Sequence, residues 1–503
     1  MPALLTFLFT TGFLIAAAYG LRTSLHVALY LRAARRRPAP GRPMVVAPMS
    51  VTVQLPLYNE PAVAARAIDA ACRLRWPHGA LEIQVLDDST DETAGIVDAA
   101  AKAWRARGAD VVVLRRATRD GFKGGALAAG LAAAKGDALA VLDADFLPPA
   151  DFLERTVPFL QAPGVAAVQA RWSHLNDTAS WLTRAQALAL DGYFVVEQHA
   201  RAASGLALNF NGSAGVWSRA AILDAGGWRG DTMTEDVDLS YRAQLAGWRI
   251  AFLPDVSVPA ELPTTLVAFK RQQRRWARGT LECARRLLPA VARAPWPLGV
   301  RVHAAASLTN HVVAPLLLGL LAATPLLLVW RPESHPLLAA LTLVSFALPG
   351  QVALGQRALH PDWRRRLLDY PVLVALMAGM AVNGAVAAWQ AARGRPGTFE
   401  RTPKAGNGPA ATSASASDRR QALAECAAAA WAAATLVAAV AQGAWGAVPF
   451  LGTFAVGLGV VGGGTILELR RGSRGYRGRA GGRAAGASPR RVIGAMRARS
   501  QVR

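Results

Sequence analysis

Cysteine is scarce: Cys72, Cys283 and Cys426 are the three in 503 residues, far apart and in no CxxC pair. Neither a disulfide framework nor a zinc site is expected from them. Acidic residues are also few, 33 Asp and Glu against 56 Lys and Arg for a formal net charge of +23, and they concentrate between Glu60 and Glu261. A secretory signal would carry positive charge ahead of its first apolar run, and this chain does not. Residues 4–30 are apolar apart from Arg22 and His26, and Arg32, Arg35, Arg36 and Arg37 come after them. They read as an uncleaved anchor with its amino end outside. What the chain has in quantity is apolar surface, 52% hydrophobic residues with a mean hydropathy of +0.23, which points to a membrane protein. The basic blocks at residues 32–42, 270–286, 364–366 and 470–503 adjoin hydrophobic segments. That placement suits cytoplasmic flanks and anionic lipid, and no nucleic-acid partner is expected.

The pattern divides the chain into an anchor at 1–36, a Pro-rich linker at 37–50 and a cytoplasmic α/β domain at 51–262. Short apolar runs at residues 51–55, 83–86, 111–114, 139–142 and 166–168 alternate with helical stretches at 60–74, 91–107 and 123–134. The expected fold is a mostly parallel, Rossmann-like sheet with crossover helices. Residues 263–300 form an interfacial amphipathic region, where Leu266, Phe269, Trp276 and Leu281 are interleaved with Arg and Lys. An α-helical transmembrane region follows at 301–469, with candidate spans at 303–330, 337–354, 371–392, 423–445 and 448–467. If all five crossed, the basic tail at 470–503 would end outside, against the positive-inside tendency. Residues 371–392 contain Asn383 and several Gly and Ala, so they are assigned to the interface. One span before the α/β domain and four after it then leave the catalytic domain and the tail on the cytoplasmic side, the tail disordered.

Carboxylates cluster at the predicted strand ends. Asp143-Ala144-Asp145 follows a buried apolar run; residues two apart on extended chain point the same way, so both carboxylates can address one hard divalent cation carrying a diphosphate. An acidic strand-end turn capping the next helix fits the same three residues. Tyr58, Glu60 and Asp88 stand at the ends of the first and second strands, where a nucleobase or ribose would be held. Gly121-Phe122-Lys123-Gly124-Gly125 opens a helix as a phosphate-approaching turn would. Thr234-Glu235-Asp236 adds a carboxylate beyond the sheet, and Gln272-x-x-Arg275-Trp276 closes the set.

Together these motifs resemble the processive, inverting family 2 glycosyltransferases of the cellulose synthase superfamily, which have the GT-A fold. The likeness is nearest to bacterial relatives of the plant cellulose-synthase-like A and C groups, the mannan, glucomannan and glucan synthases. It is carried by Gln84 to Asp91, Asp143-Ala144-Asp145-Phe146, Gln169-Ala170-Arg171-Trp172, Phe210-Asn211-Gly212-Ser213-Ala214-Gly215-Val216-Trp217, Gly226-Gly227-Trp228 and Gln272 to Trp276. The resemblance implies a membrane-bound hexosyltransferase that extends a β-linked polysaccharide from a UDP- or GDP-sugar and passes the product across the bilayer. It makes Asp236 the catalytic base and assigns donor binding to Tyr58, Glu60, Asp88, Lys123, Asp143, Gln272 and Arg275. Asp143 and Asp145 would hold the metal, Mg²⁺ or Mn²⁺. Trp276, Trp172, Phe210, Asn211 and Gly212 would line the acceptor side. Phe399, Thr402 and Lys404 resemble the family's FxVTxK gating loop within residues 394–410, with Arg401 at the pattern's Val.

Plainer readings stand beside these. Trp276 fits an interface anchor, Glu235-Asp236 fits an acidic helix start, and His174 and His199 read as structural. A non-processive transfer to a lipid, as in ceramide glucosyltransferases, and an inactive membrane scaffold are the alternative functions.

Overall fold

The computed structural model describes residues 2–35, 47–330, 347–394 and 415–481. Seven strands, β1 (Val51–Leu57), β2 (Leu81–Asp87), β3 (Asp110–Leu114), β4 (Ala138–Val141), β5 (Val165–His174), β6 (Gly215–Ser218) and β7 (Arg249–Ala260), form one sheet in the order β3-β2-β1-β4-β6-β5-β7. The first four pair in parallel, with Val51 opposite Leu81 and Ala138. Short β6 runs antiparallel to both β4 and β5, and β5 pairs in parallel with β7 across two register shifts. Helices Ala64–Cys72, Thr93–Arg105 and Phe122–Ala133 make the crossovers. The expected mostly parallel sheet is present, and its order reverses at β1/β4, which puts the carboxyl ends of these strands at a crevice between helices.

Burial on both sheet faces explains the apolar runs. Val53, Leu55, Val85, Ala140 and Val168 are each no more than 1% exposed. The two polar exceptions inside β1, Thr52 and Gln54, are paired across to β2: Thr52 Oγ1 donates to Glu82 Oε2 at 2.7 Å and Gln54 Nε2 to Gln84 Oε1 at 3.1 Å.

A long amphipathic helix, Leu266–Arg293, lies between this domain and the apolar helices. Thr265 Oγ1 caps it by accepting from Ala268 N at 3.2 Å. Glu468, from the last apolar helix, accepts from Leu266 N at 2.8 Å and Val267 N at 3.1 Å, a carboxylate on the positive end of the helix dipole. Among the described residues five helical stretches are long and apolar enough to cross a membrane: Thr10–Arg35, Leu298–Val329, Trp363–Arg393, Ala416–Ala441 and Trp445–Arg471. The third includes residues 371–392, expected at the interface, and is interrupted at Met380, between Tyr370–Gly379 and Ala381–Arg393. Its first half closes on the last helix, where a Cβ on Gly379 would meet Gly457 O, and its second half lies against the amphipathic helix, where Asn383 Nδ2 donates to Lys270 O at 3.0 Å. The expected span at 337–354 is described only from Ala347 onward, and the last helix continues to Gly481, past the boundary expected at 470. Phe399, Thr402 and Lys404 lie outside the described residues.

Candidate active site

One cleft gathers the strand ends. Its lining includes Tyr58, Glu60, Asp88, Lys123, Asp143, Asp145, Trp172, Asn211, Gly212, Asp236, Gln272, Arg275 and Trp276, all selected from the sequence. Of the residues expected on the acceptor side, Phe210 is the exception. It is fully buried, edge-on to Trp217 with centroids 5.4 Å apart, and supports the loop that follows it.

At the β1–β2 end of the cleft, β1 finishes in a turn in which Asn59 takes a left-handed conformation at φ 53°. An Asn tolerates that region because its side chain bonds locally; here Oδ1 accepts from Thr90 N at 2.8 Å and ties the β1 turn to the β2 turn. In Asp87-Asp88 the two carboxylates have different tasks. Asp87 is 1% exposed, pairs with Arg115 at 2.9 Å and accepts from Ser89 N at 3.0 Å. Asp88 lines the cleft and is gripped by both arms of Arg116, at 3.0 Å from Nε and 2.5 Å from Nη2. The Arg119 guanidinium stacks over the Tyr58 ring, 3.4 Å from its centroid. Arg116 and Arg119 were missed in the sequence, where they are two of several arginines in an exposed loop after β3.

The centre of the cleft is crowded with charge. Lys123 Nζ lies 2.7 Å from Asp143 Oδ1 and 3.5 Å from Glu235 Oε1, and donates to Gly212 O at 2.8 Å. Burial alone would push this ammonium down; the carboxylates of Asp143 and Glu235 outweigh it and hold it above its ordinary value. Asp143 N donates to Ser213 Oγ at 2.9 Å, which fixes the loop 210–214 against the end of β4. Gln169 fixes the same loop from β5: its Oε1 accepts from Asn211 N at 2.8 Å and its Nε2 donates to Ser213 O at 3.0 Å.

Asp236 is in the first turn of the helix Glu235–Leu245 and accepts from Val237 N at 2.9 Å. Gly212 faces it at φ 80°, and a Cβ there would stand 2.9 Å from Asp236 Oδ2. Both the backbone and the close approach therefore require glycine. Burial, then the neighbouring Glu235 charge, push the Asp236 carboxyl up to about 7, against the pull of Lys123. A carboxylate tuned to that range suits a general base.

The amphipathic helix closes the cleft with Gln272, Arg275 and Trp276. Burial lowers the Arg275 guanidinium, opposed first by the carboxylates of Asp143 and Glu235. The rings of Trp172 and Trp276 are 6.5 Å apart at 53°, and Trp172 also meets Phe146 at 5.0 Å, giving an apolar platform of the kind a sugar's CH face stacks on. The opposite face of the helix is tied to the membrane helices. Lys270 Nζ pairs with Glu425 Oε2 at 2.7 Å, Arg271 pairs with Asp418 at 2.5 Å, and Arg274 bonds Asn383 at 3.2 Å and Gln421.

Residues 48–279 match the family model described as glycosyltransferase like family 2. The chain is 46% identical over 242 residues to the probable glucomannan 4-beta-mannosyltransferase 7 of Oryza sativa subsp. japonica, covering 47% of this chain and 41% of that protein. It is 43% identical over 248 residues to glucomannan 4-beta-mannosyltransferase 2 of Arabidopsis thaliana, covering 48% and 46%. The chain thus spans less than half the length of these curated relatives. In fold it is similar to the mannosyltransferase PcManGT from Pyrobaculum calidifontis, solved in complex with GDP-Man and Mn²⁺, with 24% identity and a TM-score of 0.51 over 75% of this chain and 99% of that one. Residues 48–279 thus match the family 2 glycosyltransferase model and have the GT-A fold, in a chain with several helices long and apolar enough to cross a membrane.

Proposed function

We propose that the protein is a membrane-bound inverting hexosyltransferase that transfers mannose from a nucleoside-diphosphate sugar, GDP-mannose first among the candidates, to a growing β-linked glycan of the mannan type. The observation that carries this reading is the half-buried Asp236, set against Gly212 between the carboxylate-lined donor end and the Trp172–Trp276 platform. The names of the plant relatives and of PcManGT supply the sugar.

The residues present fit a divalent cation. Asp143 and Asp145 share one edge of the cleft, and no group of three or more His, Cys, Asp or Glu placed to hold a metal occurs among the described residues. Two carboxylates plus substrate phosphates is the donor set a Mg²⁺- or Mn²⁺-nucleotide takes. When bound, the ion neutralises charge developing on the leaving diphosphate. Lys123 and Arg275 line the same cleft and carry fixed positive charge toward it. Tyr58, Glu60, Asp88 and Gln272 hold the nucleotide, with Asp88 oriented by Arg116.

Transfer follows from these positions. The acceptor hydroxyl, laid over Trp276 and Trp172 and beside Asn211 and Gly212, loses its proton to Asp236 as its oxygen bonds to the anomeric carbon. The bond from that carbon to the diphosphate oxygen breaks on the opposite face, so an α-linked donor gives a β-linked product. Active site and basic flanks are assigned to the cytoplasmic side, and the product to a path through the apolar helices. Asp236→Asn keeps the shape and removes the base; transfer falls by about 10²- to 10⁴-fold while GDP affinity, measured by calorimetry, holds. Undiminished transfer by this variant would refute the assignment.

A further inference from the structure

The cleft has a polar side chain at its aromatic end that the account above does not use. His174, the last residue of β5, lines the cleft two residues beyond Trp172. Its Nε2 lies 3.1 Å from Asp191 Oδ1. Asp191 is 2% exposed and is itself held from the opposite side, where Gln356 Nε2 donates to Oδ2 at 2.8 Å and His360 Nε2 stands 3.4 Å from the same oxygen. Burial would push Asp191 up, but the hydrogen bonds from His174 and His360 outweigh it and hold the carboxyl below its ordinary range.

Three elements are built around this contact. Asp191 is the penultimate residue of the helix Trp181–Gly192, and Gln356 belongs to the helix Ala347–Leu359. The two helices touch through glycines: a Cβ on Gly355 would meet Gly192 Cα at 3.0 Å and Asp191 O at 3.1 Å. That close packing brings Gln356 and His360 onto the carboxylate. An ionised Asp191 requires the proton of neutral His174 to be on Nε2, which leaves Nδ1 with an open lone pair. No described residue donates a hydrogen bond to that Nδ1. A histidine kept only for packing has no need of a buried carboxylate behind it and a cleft in front.

We propose that His174 is an acceptor-binding residue whose Nδ1 accepts a hydrogen bond from a hydroxyl of the acceptor sugar, and that Asp191 is the positioning residue that sets its tautomer. The proposal rests on the reading that a glycan acceptor enters at the Trp172–Trp276 end. It adds to that platform the directional polar contact that stacking on an aromatic face does not provide. Asp191→Asn, with an amide nitrogen free to donate toward Nε2, moves the imidazole proton to Nδ1 and removes the acceptor.

The test uses the full chain in detergent with GDP-mannose, Mn²⁺ and β-1,4-linked mannohexaose. For His174→Phe and Asp191→Asn the expected result is an acceptor KM raised roughly 3- to 10-fold, the loss of one neutral hydrogen bond, with kcat and GDP affinity close to the parent. His174→Gln, whose amide oxygen can still accept, recovers part of the difference and serves if the Phe variant does not fold. Unchanged acceptor KM in these variants, or a loss seen only as lower thermal stability with kcat and GDP affinity falling together, overturns the proposal. If the parent protein turns over donor but elongates no β-linked oligosaccharide, the acceptor reading itself fails, and the role of His174 fails with it.

Discussion

Replacing Glu425 by glutamine leaves the shape of a buried contact intact and removes its charge. The Lys270 ammonium would then sit 2.7 Å from an amide, with Thr465 Oγ1 at 3.4 Å as its other neighbour. The two side chains are 2% and 0% exposed, so water cannot take over the lost ion pair. Removing one partner of such a pair costs about 3–5 kcal/mol, because the remaining charge stays buried, whereas replacing both by apolar residues of similar volume is close to neutral. Lys270 precedes Gln272 by two residues and Trp276 by less than two helical turns, so strain at the pair is delivered to the cleft-facing side of the same helix. Glu425→Gln and Lys270→Met are each expected to lower the thermal midpoint of the detergent-solubilised protein and to reduce transfer. The double variant Lys270→Met/Glu425→Leu should recover most of both. Thermal unfolding followed by circular dichroism, with transfer rates on the same samples, decides the matter. A double variant no better than the worse single, or two silent singles, would refute the reasoning that a charge pair locks this helix to the membrane bundle.

Three further outcomes are expected. Asp236 accepts a proton only when ionised, and its carboxyl is raised from 3.8 to about 7, so the transfer rate should climb as pH rises through about 7; a rate flat from pH 5 to 8 would count against the assignment. The same shift means that this group's contribution to stability falls as pH rises from about 4 to about 7, since the fold prefers the neutral form. Arg116→Met removes both bonds that orient Asp88 and should raise the donor KM about 10- to 100-fold with little change in kcat, consistent with the loss of about 1.5–3 kcal/mol from bonds between charged groups; steady-state kinetics at saturating acceptor would show it.

The readable parts of the chain were those where one physical demand dominates. Strands β1 to β4 are buried on both faces, so their apolar runs stand out, and the carboxylates at their ends are where a doubly wound sheet must place ligand-binding groups. β6 and β7 were not found. The first has four residues and leads directly into a helix capped by Ser218; the second carries Pro254 and Pro259 and a register shift against β5, which disrupt any regular alternation. Lys123, expected near ribose or phosphates, sits on Asp143 and Glu235 after a turn with positive φ at Gly121 and Phe122, a geometry that spacing alone does not specify. The partnership of Arg116 with Asp88 joins residues 28 apart across neighbouring strand ends, and the set Lys270, Asn383, Gln421 and Glu425 joins three helices; neither leaves a local pattern in the sequence. His174 reads as structural from the sequence, since its partner Asp191 lies 17 residues away on another element and leaves no local pattern.

The central claim is tested most directly by the product. Purified full-length protein, incubated with Mn²⁺ or Mg²⁺ and with GDP-mannose, UDP-glucose or both, is followed by sizing, anomeric proton NMR and digestion with a β-1,4-mannanase. The account predicts a β-linked, mannanase-sensitive polymer from GDP-mannose that is lost on chelation and in Asp236→Asn. A product with a single sugar on lipid, an α-linkage, or polymer still formed by Asp236→Asn would contradict it.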